Sequence, residues 1–197
     1  MSKELFISDF QKQSFRKQVK DLLNNKIPQN ETNLYLGKTP LILKNNGCIN
    51  EKLVISTKVI QKAIEIGENK HHVPIRKIVH LYKYLECPFL ILKGSVPNSI
   101  VAIVKEKDDL KRELLIAIRI NAYEKYMSVT RITSIYGKKG LKSYLLNHSD
   151  EVLDVYNEKK TISWLASYEL QLLVLSNSQS SYNYMITKSD DKINKNK

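Results

Sequence analysis

Between Pro88 and Tyr136 the chain runs through four apolar stretches in succession, "PFLILKG", "SIVAIVKEK", "ELLIAIRIN" and "YMSVTRITSIY". Each is rich in Ile and Val, which suit a pleated surface, and each is closed by Pro/Asn, Asp-Asp or charged turn residues. Connections this short favour antiparallel neighbours, because a parallel pairing needs a crossover of a dozen residues or more. The four runs therefore predict an antiparallel meander, and the rest of the chain has to cover it.

The flanks supply that cover. In "SDFQKQSFRKQVKDLLNNKIP", Ser8 precedes Gln11 in a capping-box pattern, and Phe15, Val19, Leu22 and Leu23 share a helical face opposite Lys12, Arg16, Lys17 and Lys20. "LYLGKTPLIL" reads as a strand, a turn and a second short extended segment around Gly37 and Pro40. "STKVIQKAIEIGENK" sets Val59, Ile60, Ala63 and Ile64 on one helical face, with Gly67 placed to cap it. Beyond the loop "ENKHHV", Pro74 suits a first helical turn, and Ile75, Ile78, Val79, Tyr82 and Leu85 repeat at helical spacing, with His80 on the solvent side. After the meander, "LKSYLLNH" reads as a helix, "VLDVY" as an edge strand, "KTISWLASYELQL" as a helix packing through Trp164, and "YNYMITK" as a last strand. The class that follows is α+β: helices packed on a mainly antiparallel sheet of four to five strands. The organisation is an N-terminal helix and linker over 1–30, one domain over 31–187, and a disordered basic tail over 188–197.

Charge points to a partner class. Thirty-two Lys and Arg against 20 Asp and Glu leave a formal charge of +12, which attracts polyanions such as nucleic acid; an A/T-rich coding bias would load Lys, Asn and Ile in the same way. Cys48 and Cys87 stand alone, without CxxC or a Cys/His cluster, so neither zinc nor a disulfide framework is expected. No phosphate-binding Gly loop, GxSxG elbow or dinucleotide fingerprint is present, and no cofactor is expected. The start "MSKELFISDFQKQ" lacks a signal-peptide run and no stretch is long enough to span a bilayer, so the reading is a cytoplasmic chain without membrane insertion.

RNA cleavage without metal asks for a group that takes the 2′-OH proton, donors or cations on the phosphate, and a donor to the leaving oxygen. His, Lys, Arg, Ser, Thr and Tyr supply all of these. As a regular strand, "SVTRITSIYGKK" puts Thr130, Ile132, Ser134 and Tyr136 on one face, with Lys138 just beyond. Between the adjacent histidines 71 and 72, periodicity does not choose.

The order "LYLGKTPLIL", "KHHVPIRKIVHLYKYLECPFLILKGS", "SIVAIVKEKDD", "LLIAIRI", "VTRITSIYGKK" and "VYNEKKTISWLASYELQL" resembles the phage-associated nucleases of the barnase–EndoU–colicin–RelE-like (BECR) group. Such domains occur at the C-termini of MuF-type phage head proteins and of polymorphic toxins. The similarity runs from Asn33 to Leu173 and rests on motif order. It matches Gly37, Thr39 and Pro40 to a turn, His71 to the histidine seventeen positions before Pro88, and Ser134, Tyr136, Lys138, Lys159, Lys160 and Trp164 to later elements. Two positions depart: Gly94 stands where the pattern has a serine, with Ser95 displaced by one, and Thr130 stands where it has an asparagine.

The resemblance implies a ribonuclease toxin restrained by an antitoxin or immunity protein. His71 would act as general base or acid, Lys138 and Lys160 would stabilise charge on the phosphate, and Ser134 and Tyr136 would donate hydrogen bonds to it. Thr39, Lys93, Ser95, Thr130 and Lys159 would contact the substrate. The two departures keep a second reading open, an RNA- or DNA-binding module of the same fold that does not cut. A third makes the chain a protein-interaction partner docking an acidic protein through its first helix and basic surface.

Overall fold

The structure, a computed structural model, describes residues 14–28, 32–67, 70–124, 126–174 and 184–189. Its first helix, α1 (Phe15–Leu23), is capped by Ser14, whose hydroxyl accepts from the Lys17 N–H; Ser8 and Gln11 lie outside the described residues. Then come β1 (Asn33–Lys38), α2 (Leu41–Asn45), β2 (Lys52–Ser56), α3 (Thr57–Ile64), α4 (Ile75–Ile78) and α5 (Leu81–Glu86). The meander follows as expected: β3 (Leu90–Lys93), β4 (Ser99–Lys107), β5 (Glu113–Glu124) and β6 (Met127–Gly137), each antiparallel to the next. The chain continues through α6 (Leu141–Asn147), β7 (Val152–Asp154), α7 (Glu158–Ala166), β8 (Leu170–Val174) and β9 (Tyr184–Lys188).

The sheet is larger than expected and is mixed. Its order is β1-β2-β6-β5-β4-β3-β7, seven strands, with β2 parallel to β6 through the pairs Leu53–Thr130 and Ile55–Ile132. The expectation of four to five mainly antiparallel strands is corrected here, and the cause is "EKLVIS". Its apolar centre, Leu53-Val54-Ile55, is too short to announce a strand, yet it pairs with both β1 and β6. Three further readings change for local reasons. "PLIL" is helix α2, entered from Pro40, whose φ of −56° suits a helix start. The helix expected over 75–85 breaks into α4 and α5 at His80. The helix bearing Trp164 ends at Ala166, Glu169 takes a left-handed φ of 56°, and "LQLLV" becomes β8, which among the described residues pairs only with β9 in a separate two-stranded sheet.

Both faces of the sheet are covered. Helices α1–α5 pack over Leu34, Leu53, Ile55, Ile116, Ile118 and Ile132 in one core. On the other face, α6, α7 and the β8–β9 pair cover Leu90, Leu92, Val101, Ile103 and Leu115. Burial on both sides explains why β4 and the first half of β5 read as unbroken apolar runs and not as alternations. Among the described residues no helix is long and apolar enough to cross a membrane.

The outer edge of β1 is covered by a side chain. Gln18 of α1 is fully buried; its Nε2 donates to the Tyr35 carbonyl at 2.9 Å and its Oε1 accepts from the Tyr35 N–H at 2.9 Å. One amide thus stands in for a neighbouring strand, which blunts an edge open to intermolecular pairing. Gln18→Ala leaves that N–H and C=O without partners, and each costs about 1–3 kcal/mol when buried. The variant is expected to unfold at a clearly lower urea midpoint with an unchanged slope, and equal midpoints would refute this role.

Candidate active site

A bulge in β6 decides which side chains meet. Ala117 pairs with Ser134 but Ile118 pairs with Ile132, so Thr133 is an extra residue and the alternation changes phase there. Thr130 and Ile132 therefore enter the core under α1–α5, while Ser134 and Tyr136 turn to the face carrying α6. The expectation that Thr130 shares a face with Ser134 and Tyr136 is corrected accordingly. Thr130 is fully buried with its hydroxyl against the Cys48 thiol, whose pKa burial pushes up to about 12.

Loop geometry separates the two histidines. Val73 is buried and its N–H donates to the Ala63 carbonyl, while His72 takes a left-handed φ of 54°, so consecutive rings point apart. The His72 ring is occupied, with Nε2 2.7 Å from the Gly67 carbonyl oxygen. The His71 ring lies 5.8 Å from the Tyr136 ring, centroid to centroid, and its Nε2 is shielded from solvent with no hydrogen-bond partner among the described residues. The β4–β5 turn holds the loop from below: Arg112 Nη2 donates to the His71 carbonyl at 3.2 Å, and the Asp109 N–H donates to that of His72 at 3.1 Å.

Burial first, and then the nearby Lys62 and Arg112 charges, hold the His71 pKa below the ordinary value of 6.5; Glu65 opposes them and Lys70 adds to them. The imidazole is therefore neutral at neutral pH and able to accept a proton. Burial raises the Tyr136 phenol and pushes Tyr144 up to about 12, so both remain hydrogen-bond donors.

Tyr136 also lines a small cleft of about 210 Å³ between the sheet and α6, shared with Ser95, Ser99, Arg119, Thr133, Tyr144 and His148. Lys138 Nζ sits 4.6 Å from the centre of the Tyr144 ring, so Lys138 joins this group. Neither Lys138 nor Arg119 meets a carboxylate among the described residues, which leaves two cations for an anionic ligand. The His148 ring lies 4.4 Å from the Tyr144 ring, centroid to centroid, tilted by 48°, and its Nδ1 lies 2.7 Å from Glu151 Oε2. Among the described residues no three His, Cys, Asp or Glu side chains gather as a metal site requires.

Of the residues expected from sequence, Tyr136 and Ser95 line the cleft, Lys138 reaches its Tyr144, His71 adjoins it through Tyr136 without lining it, and Ser134 shares the face. The others do not. Thr39 is buried beyond the end of β1, its N–H bonded to the Glu51 carbonyl. Lys93 is exposed at the end of β3, one residue past Leu92 and so on the opposite side from the cleft. Lys159 and Lys160 line a separate, larger groove beneath α7. Gly94 has a geometric explanation: a Cβ there would lie 2.1 Å from Ser99 Oγ, so a hydroxyl from β4 occupies the space a serine at 94 would need.

Arg119, Tyr144 and His148 were missed from sequence. Arg119 follows Leu115 and Ala117 at strand spacing, and His148 follows Tyr144 by one helical turn; those were the available signals.

Neither a curated protein nor a solved structure matches the chain. One family model does, described as the phage MuF C-terminal domain, and it matches residues 62–163. That span holds His71, Ser134, Tyr136, Lys138 and the cleft, and it covers just over half of the chain, which accordingly belongs to the phage MuF C-terminal domain family.

Proposed function

We propose that the chain is a metal-independent ribonuclease toxin of BECR type, acting at the His71–Tyr136 cleft and held in check in its producer by an antitoxin or immunity protein. The observation that carries this reading is the His71 Nε2: neutral, without a partner among the described residues, and beside a cleft that offers unpaired cations and hydroxyl donors. His71 Nε2 takes the 2′-OH proton, the 2′-oxygen bonds to phosphorus, and the bond from phosphorus to the 5′-oxygen breaks. Lys138 and Arg119 stabilise charge on the phosphoryl oxygens, Tyr136 donates a hydrogen bond, and His148, oriented by Glu151, delivers a proton to the departing oxygen. Because Nε2 is shielded, the substrate reaches it only when neighbouring side chains, Tyr136 first, give way.

A second reading, binding of RNA without cleavage, draws on the same shielding and the same net charge of +12. Incubating purified protein with total RNA separates the two. The ribonuclease reading expects fragments ending in 2′,3′-cyclic phosphate, produced equally with and without EDTA. Intact RNA at stoichiometric protein, together with salt-sensitive binding, overturns it in favour of the second.

A further inference from the structure

A second cavity, larger than the cleft just described, lies elsewhere on the molecule. It is a groove of about 920 Å³ where the ends of α5 and β4 and the start of β5 meet α7. Its wall is aromatic: Phe89 and Trp164 stack in near-parallel planes, 11° apart at 4.7 Å, and Tyr168 meets the Trp164 ring edge-on at 5.6 Å. Tyr168 is fixed by donating its hydroxyl hydrogen bond to Glu113, so the platform is tied to the sheet. Five lysines also line the groove, and of these Lys83, Lys105, Lys159 and Lys160 meet no carboxylate among the described residues. The acidic residues nearby are already paired, Glu106 with Lys77 and Glu113 with Lys107.

Unpaired cations set around flat aromatic faces match one ligand chemistry, a single-stranded polynucleotide, whose bases stack while its phosphates meet the lysines. A duplex hides its base faces, and an acidic peptide would use the lysines but leave the rings idle. The groove and the first site adjoin across one backbone hydrogen bond: the carbonyl of Glu113, which lines the groove, accepts the N–H of Lys138, whose ammonium sits on Tyr144 of the cleft, at 2.9 Å.

We propose that this groove is a binding site for single-stranded RNA, with a base stacked on the Phe89–Trp164 platform and phosphates on Lys83, Lys105, Lys159 and Lys160. On the ribonuclease reading it holds nucleotides flanking the scissile bond, so only that last role rests on the reading above. Lys159 and Lys160 thereby act on the strand beside the reacting phosphate and not on that phosphate.

Trp164 is the single tryptophan of the chain, so its emission reports the groove directly. Full-length wild-type protein is titrated with a 2′-O-methyl RNA ten-mer, which has no free 2′-OH and cannot be cleaved by 2′-OH attack. Saturable quenching is expected from the single strand, and none from the same sequence as a duplex or from inorganic polyphosphate. Replacing Lys159 and Lys160 together with Gln is expected to lower the slope of log affinity against log salt by about 0.7 for each phosphate that the variant no longer neutralises. Because Trp164→Ala removes the reporter and the platform, its affinity is read with a fluorescently labelled ten-mer, and a loss of about tenfold or more is expected. Absent quenching, or equal quenching by polyphosphate, overturns the proposal, and tight binding of an acidic protein with no response to RNA assigns the groove to a protein. Quenching by the ten-mer in a protein that leaves natural RNA intact keeps the groove and removes the ribonuclease reading.

Discussion

His71→Ala is expected to lower RNA cleavage by about 10²–10⁴-fold, the usual contribution of a positioned general base, without unfolding the chain. The substitution isolates the ring because the loop is held through backbone. Arg112 bonds the carbonyl of residue 71, Asp109 that of residue 72, and Val73 anchors the chain in the core, and all of these interactions survive an alanine at 71. His72→Ala is the matched control. It removes only the ring hydrogen bond to the Gly67 carbonyl and should retain most activity.

The pH profile adds a readout that a structural histidine would not move. The folded pKa of His71 lies below 6.5, so a base at this position gives a rate that rises with pH along a limb centred below 6.5 and is flat by neutrality. Lys62 is exposed and its charge helps depress that pKa; Lys62→Glu should therefore shift the limb to higher pH without changing the plateau. The stability sign is consistent. A histidine depressed in the folded state leaves stability at its full value above 6.5 and removes some of it as pH falls from there through the folded pKa. A folded His71→Ala protein as active as wild type would sink the assignment.

Much of the fold was legible because it was local. The runs of β3–β6 are long, β-branched and bounded by turn residues, and they pair in the order in which they occur. What escaped was set by tertiary contact. β2 has an apolar centre of only three residues and becomes a strand because β1 and β6 lie on either side. "LQLLV" carries a helical spacing from Trp164 onward, but a left-handed Glu169 interrupts it and β9 recruits the remainder into a pair.

The site shows the same division. Separating His71 from His72 required the spacing to Pro88, and the structure shows the physical difference between them, one ring bonded to Gly67 and the other against Tyr136. Thr130 was grouped with Ser134 and Tyr136 because strict alternation cannot foresee a bulge, and the one extra residue at Thr133 moved it into the opposite core. Gly94 read as a missing serine only while strands were considered one at a time; the neighbouring strand puts Ser99 Oγ into that space.

The largest expected loss of stability comes from a residue that touches no substrate. Asp108 opens the β4–β5 turn with its side chain fully buried; Oδ1 accepts the Arg112 N–H at 2.8 Å and Oδ2 meets Arg112 Nε at 2.5 Å. The carboxylate packs directly on Gly137 at the end of β6, where a Cβ would lie 1.9 Å from Oδ2, so "YGKK" needs glycine at this position for close approach. Arg112 then reaches on to the His71 carbonyl, which makes a continuous chain from the end of β6 through the turn to the loop that carries His71. Removing the carboxylate leaves Arg112, itself mostly buried, without its counter-charge. Asp108→Ala should therefore cost roughly 3–5 kcal/mol in urea unfolding, the range for breaking one side of a buried ion pair.

Asp108→Asn keeps the shape and an oxygen able to accept the Arg112 N–H, so its stability loss should be smaller. It still weakens the charge pair that aims Arg112 at His71, so its cleavage rate per folded molecule should fall while its affinity for a non-cleavable RNA stays unchanged. Gly137→Ala tests the same chain from the other end and should displace Asp108 with a loss of both stability and rate. If Asp108→Asn lowers stability and leaves the rate per folded molecule and its pH limb untouched, the turn is only structural and does not position His71.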